Sequence, residues 1–152
     1  MIHNKQIEYH TRQFDKPYRS TIAFYKWLDE MGLFSGTKNI LDVACGAGSN
    51  LAYFAGKKPH INFLGFDHDK KLVNIGRKKI KSANLSNAEI RLDDVYKINK
   101  RNFQNLNGVM ILQTLSWLEH YDKALVNIFK LNPDWIAASS LFFDGEIDAF
   151  IT

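Results

Sequence analysis

Cysteine is almost absent from this chain: Cys45 stands alone, so no disulfide forms within it, and the thiol content carries no sign of an oxidising compartment. No stretch approaches the roughly 18 uninterrupted apolar residues of a membrane span. The start, Met1-Ile2-His3-Asn4-Lys5-Gln6, lacks an apolar core followed by a cleavage site. A soluble, cytoplasmic protein is therefore expected. His60, His68 and His120 show no ligand spacing with one another or with carboxylates, so no metal site is expected. No repeat, low-complexity tract or Pro/Gly/Ser-rich linker divides the sequence.

What is present suits one globular domain. The 152 residues are 45% hydrophobic and 13% aromatic, enough to build a core. The net charge of +4 raises a nucleic-acid reading, but six of the twenty basic residues (Lys70, Lys71, Arg77, Lys78, Lys79 and Lys81) crowd one short helical segment. No aromatic residues are interleaved there for base stacking, so the cluster reads as a solvated helix face and nucleic acid is not the expected partner.

Apolar periodicity orders the rest. Residues 18–31 form an amphipathic helix, with Ile22, Phe24, Tyr25, Leu28 and Met31 at helical spacing and Gly32 near its end. Residues 39–44 form a short apolar strand stopped by glycine, and residues 49–56 a helix. A second strand at 61–66 ends on Asp67, a helix follows over 70–83, and a third strand at 88–92 ends on Asp93-Asp94. A fourth strand covers 107–112, a helix 124–131 halts at Asn132-Pro133, and a fifth strand covers 135–143. Phe142, Phe143 and Phe150 are expected to belong to the core or to a missing contact and not to a cofactor box. Near-continuous apolar strands alternating with helices predict a doubly wound α/β fold: a mostly parallel, Rossmann-like sheet with helices on both faces.

In such a sheet ligands bind past the carboxyl ends of the strands. After the first strand comes Asp42-Val43-Ala44-Cys45-Gly46-Ala47-Gly48, where the glycines let a ligand approach peptide groups and the amides near Ser49 and Asn50 suit an anion. Asp67 lies 19 residues beyond Gly48, the distance at which an acid hydrogen-bonds ribose hydroxyls; the competing reading is a cap on the next helix. A dinucleotide loop wants G-x-G-x-x-G, and Ala44, Gly46 and Ser49 stand at those spacings, which disfavours NAD or FAD. No G-K-[ST] follows, so a P-loop is excluded.

Residues 40–48 resemble the first motif of class I S-adenosylmethionine-dependent methyltransferases. Leu64-Gly65-Phe66-Asp67 is similar to their second motif, Leu92-Asp93-Asp94-Val95 to their third, and residues 109–118 to their fourth. Leu131-Asn132-Pro133-Asp134 is similar to the turn before their fifth strand, so the resemblance covers residues 36–143. It implies that Ala44, Gly46 and Gly48 wrap the methionine part of S-adenosylmethionine, with Asp42 organising its amino group. It further implies that Asp67 binds the ribose, His68 lies beside the adenine, Asp94 accepts from the adenine amine, the Val95 amide meets a ring nitrogen, and Gln113 sits near the sulfonium.

Methyl transfer from a sulfonium is an in-line displacement that chiefly needs alignment and exclusion of water. A base matters only where the acceptor must shed a proton. Trp117, Glu119, His120 and Tyr121 are the candidates to face the acceptor, with His120 the candidate base. Cys45 has no evident His partner and reads as a loop residue. The fourth strand is followed by Gln113-Thr114-Leu115-Ser116 and not by an [ND]-P-P-[YF] tetrapeptide, so the acceptor is expected to be a small molecule, sugar or lipid. A noncatalytic binding module and an NAD- or nucleotide-sugar-dependent enzyme are the alternatives. Residues 1–35 are expected as a helical segment over the cofactor site, from which Tyr9, Tyr18 or Arg19 reaches the methionine carboxylate. Residues 36–152 are expected as the α/β domain. The resemblance implies a sixth and seventh strand that 152 residues do not reach, so a truncated chain or a minimal domain is expected, with a homodimer through the exposed sheet edge.

Overall fold

A computed structural model describes residues 2–140. Two helices, α1 (Ile2–Asp15) and α2 (Arg19–Glu30), precede five strands and three further helices: β1 (Asn39–Val43), α3 (Ser49–Lys57), β2 (Asn62–Asp67), α4 (Lys70–Ser82), β3 (Ala88–Leu92), β4 (Gly108–Leu112), α5 (Tyr121–Phe129) and β5 (Trp135–Ser139). Single 3-10 turns at Lys100–Asn102 and Leu115–Trp117 flank β4.

The five strands pair in parallel in the order β3-β2-β1-β4-β5. The central strands β1 and β4 are almost fully buried because both faces of the sheet are covered there, whereas the edge strand β3 alternates and carries Glu89 and Arg91. Side chains alternate across a strand, so Ile40, Phe63, Met110 and Leu112 enter one core with Phe24, Leu28, Phe54 and Ile80 from α2, α3 and α4. Leu41, Val43, Phe66, Val109 and Ile111 enter the other, with Ala124 and Ile128 of α5. The strand order reverses between β1 and β4, which puts the switch point, and the crevice it opens, at the carboxyl end of β1.

One difference from the sequence reading has a local cause. Helix α5 starts at Tyr121, three residues before the predicted 124, because the apolar stripe begins only at Ala124 while the helix needs an earlier turn; Asp122 there complements the dipole. The fifth strand runs to Ser139, and the part predicted over 141–143 lies outside the described residues, as do Phe142, Phe143 and Phe150. Among the side chains described from residue 7 onward in helix α1, only Gln13 is buried, and the helix packs on α3 and α4 by folding back over the domain. The basic cluster on α4 faces solvent, apart from Lys79, whose ammonium sits 5.8 Å from the Phe14 ring, and Arg77, whose Nε donates to the Ile90 carbonyl at 2.8 Å.

Candidate active site

The loop after β1 leaves the sheet through two left-handed residues, Ala44 (φ +49°) and Gly46 (φ +59°), and enters α3 from a third, Gly48 (φ +78°). This conformation costs a non-glycine residue roughly 1–2 kcal/mol, so Ala44 is held against its own preference. Gly46 is required for a second reason: a Cβ there would lie 2.6 Å from Cε1 of His10. Helix α3 starts from Gly48 without a side-chain cap, leaving its first amides to face whatever occupies the crevice.

Asp67, at the end of β2, ties this loop down. One carboxylate oxygen accepts the Gly46 N–H at 2.8 Å and the other accepts the Asp69 N–H at 2.8 Å. The capping reading belongs to Asp69, whose carboxylate accepts from the amides of Lys71 and Leu72 at the start of α4. His68 extends into solvent with Nδ1 3.6 Å from Asp67.

Asp42 is the electrostatic outlier. It is 2% exposed, its Oδ2 is buried with no hydrogen-bond partner, and burial together with the nearby Asp67 charge pushes its carboxyl up to about 8. Burial, with the charges of Asp42 and Asp67, likewise pushes the Cys45 thiol up, away from a reactive thiolate, and this cysteine lines the cavity as part of the glycine loop. The Asp94 carboxylate accepts the Tyr96 N–H at 2.9 Å, and among the described residues the buried Val95 N–H has no partner. Gln113 (φ +54°) donates from Nε2 to the Ser139 hydroxyl at 3.0 Å, joining the ends of β4 and β5.

These groups meet around one cavity of about 1000 Å³, at the upper end of the range for ligand sites. Of the sequence-derived candidates, Asp42, Ala44, Gly46, Asp67, His68, Asp94, Val95 and Gln113 line it; Gly48 stands behind the wall and shapes the loop. Tyr9, Tyr18, Trp117 and Glu119 line it as well, whereas Arg19, His120 and Tyr121 do not. The His120 amide donates to the hydroxyl of Tyr96, which lines the cavity, at 3.3 Å. The lining also contains Asp93, which the sequence reading set beside Asp94 after the third strand, and residues that sequence reasoning missed, chiefly His10, Gln13 and Thr21. Gln13 accepts from Ser49 Oγ at 3.4 Å and Thr21 donates to Asn50 Oδ1 at 2.7 Å, so α1 and α2 are pinned to the first turn of α3. Only the three-residue spacing of His10 and Gln13, which puts both on one helix face, hinted at this.

The chain is similar to an uncharacterised protein of Rickettsia prowazekii (strain Madrid E), RP028, at 33% identity over 104 residues, covering 66% of this chain and 41% of that one. It is 28% identical over 94 residues to a tRNA (guanine-N(7)-)-methyltransferase of Mycoplasmopsis agalactiae, covering 58% of this chain and 44% of the relative. The chain thus spans less than half the length of these curated relatives. Among solved structures, PKMT2 from Rickettsia typhi in complex with AdoHcy superposes with a TM-score of 0.61 at 26% identity, covering 75% of this chain and 23% of that one. A family model described as a methyltransferase domain matches residues 40–132, from the start of the glycine-loop strand to the turn before β5, and the chain belongs to that family.

Proposed function

We propose that this chain binds S-adenosylmethionine in the crevice at the end of β1 and transfers its methyl group to a small molecule, sugar or lipid. The observation that carries the reading is Asp42: a buried carboxylate oxygen without a partner, beside a cavity, is costly unless a cationic donor arrives, and a primary ammonium is such a donor. The residues fit the remainder of the molecule. Ala44, Gly46 and Gly48 supply the loop around the methionine part, and Asp67 retains lone pairs for ribose hydroxyls beyond the two amides it accepts. His68 flanks the adenine, Asp94 accepts from its amine, and the unpartnered Val95 N–H donates to a ring nitrogen. Gln113 stands at the sulfonium end.

When bound, the sulfonium offers an electrophilic methyl group. The chain's own residues contribute alignment and dryness: Tyr9, His10 and Tyr18 cover the loop side, and Trp117 and Glu119 border the side left for an acceptor. Where an acceptor must lose a proton, Glu119 is the ionisable group of this segment that lines the cavity; His120, the base expected from sequence, would have to move to reach it. No lysine or arginine lines the cavity among the described residues, which disfavours phosphate-bearing acceptors, including a tRNA such as the name of the Mycoplasmopsis relative prints. Self-association through the outer strand β5 belongs to the same reading, with a concentration-dependent mass in light scattering as its test.

Thermal unfolding with S-adenosylmethionine, S-adenosylhomocysteine and NAD tests the donor. A ligand at a hundred times its Kd adds about 2.7 kcal/mol, which for a chain of this size raises Tm by roughly 5–10 °C. Stabilisation by NAD alone would overturn the reading. Transfer of a labelled methyl group to amine, alcohol, sugar and lipid panels then identifies the acceptor.

A further inference from the structure

The cavity is acidic. Asp42, Asp67, Asp93, Asp94 and Glu119 line it, and among the described residues His10 and His68 are its basic side chains. Resting on the donor proposed above, this creates a problem of charge. The sulfonium and ammonium suit the carboxylates, but the donor's own α-carboxylate needs a positive partner. Arg19, the arginine expected there, does not line the cavity. His68 is committed to the other side, 82% exposed and 3.6 Å from Asp67 beyond β2.

His10 is differently placed. It projects from α1 onto the glycine loop, so close to Gly46 that a Cβ there would meet Nδ1 at 2.7 Å. Its ring lies edge-on to Tyr9 at 5.2 Å, and neither ring nitrogen has a hydrogen-bond partner among the described residues. Gln13, one turn on, docks to Ser49 and holds this face of α1 over the loop. The imidazole is thus half-buried, polar, unsatisfied and fixed above the segment that wraps the methionine part. We propose that His10 is the residue of this chain that binds the α-carboxylate of the methyl donor, as its counter-charge and hydrogen-bond donor.

Burial holds the His10 imidazole below its usual range, while the charges of Asp67 at the end of β2 and Asp69 at the start of α4 pull the other way; Tyr9 is its titratable neighbour on α1. A carboxylate arriving beside it favours the protonated ring, so binding takes up a proton and this contribution weakens as pH rises.

The test is titration calorimetry on the full chain with two ligands, S-adenosylhomocysteine and 5′-methylthioadenosine, which share adenosine and a thioether but differ in the amino-acid end. In His10→Gln, affinity for S-adenosylhomocysteine should fall by about tenfold, the worth of one charge-assisted hydrogen bond. Affinity for methylthioadenosine should stay unchanged, which also shows that the variant folds. The ratio of wild-type to variant affinity for S-adenosylhomocysteine should shrink from pH 6 to pH 8.5. Equal losses on both ligands, or no loss on S-adenosylhomocysteine, overturn the role of His10 and leave the donor reading standing. Failure of the wild type to bind either ligand overturns both.

Discussion

Replacing Asp42 by asparagine should make the protein more stable and worse at its task. The carboxyl is raised from an ordinary 3.8 to about 8 by burial and by Asp67, so between those pH values the folded state holds a proton that the unfolded state has released. Unfolding then releases a proton, and stability falls as pH rises, by about 1.36 kcal/mol per unit. From 3.8 to neutral pH the span is about three units, an upper figure of about 4 kcal/mol; water entering the cavity lowers it to about 2 kcal/mol or more. Asparagine keeps the shape and removes the charge. Urea unfolding followed by tryptophan fluorescence should show Asp42→Asn more stable than wild type by about 2–4 kcal/mol at pH 7, with the gap narrowing to about 1 kcal/mol near pH 4.5 and levelling off above pH 8. Calorimetry on the same samples should show affinity for S-adenosylhomocysteine reduced by about tenfold or more, because the ammonium loses its partner. A gap that is the same at pH 4.5 and pH 8.5, or a wild type more stable than the variant at pH 8.5, would refute the account of a carboxylate kept at a cost for a cationic ligand.

Two helical glycines should respond to alanine with opposite signs. At Gly76 in α4 a Cβ would lie 2.3 Å from the Ala47 carbonyl oxygen, which is backbone and cannot step aside, so Gly76→Ala should cost about 2 kcal/mol or more in urea unfolding despite alanine's higher helix propensity. At Gly56 in α3 the nearest atom is Leu85 Cδ2 at 3.9 Å, so Gly56→Ala should stabilise by about 0.5–1 kcal/mol; a loss there would mean α3 is not held as described. Ala44→Gly removes the left-handed penalty at φ +49° and should gain about 0.5–1 kcal/mol after the entropy cost of glycine, with destabilisation counting against the loop conformation. Asp69→Ala removes the α4 cap and should cost about 1 kcal/mol with affinity for methylthioadenosine unchanged, since Asp67 and not Asp69 lines the cavity.

The parts of this site that could be read in the sequence are those in which chemistry and position are fixed by the same few residues. A strand buried on both faces is a largely apolar run, and acids that interrupt or close such runs stand out, so Asp42 near the end of β1, Asp67 at the end of β2 and Asp94 two residues past β3 could be placed near strand ends without coordinates. The glycine loop was legible for the same reason, since Gly46 and Gly48 interrupt the pattern where a left-handed turn is needed. His10 and Gln13 were not legible, because their role depends on α1 folding back onto α3, a contact with Ser49 across 36 residues that leaves no local periodicity. Whether His120 faces the cavity is not legible for a related reason: the turn at Leu115–Trp117 decides which side chains face inward, and it carries no pattern.

The distribution of charge says more about this site than its amount. The chain carries a net charge of +4, yet its crevice is lined by five carboxylates and no lysine or arginine among the described residues. Folding gains nothing from that arrangement: gathering like charges in a partly desolvated cavity raises the free energy of the empty state, and the elevated carboxyl of Asp42 is the local measure of the rise. Such a cost persists where a ligand offsets it, and a cationic ligand offsets it best. A ligand that is cationic at two points and anionic at one then requires a single exception to the rule of acidity, placed where the anion lies. His10, brought over the glycine loop by a helix outside the sheet, is that exception; the acidic wall comes from the strand ends and the counter-charge from α1. Removing α1 should therefore weaken discrimination for the amino-acid end of the donor more than its grip on the adenosine.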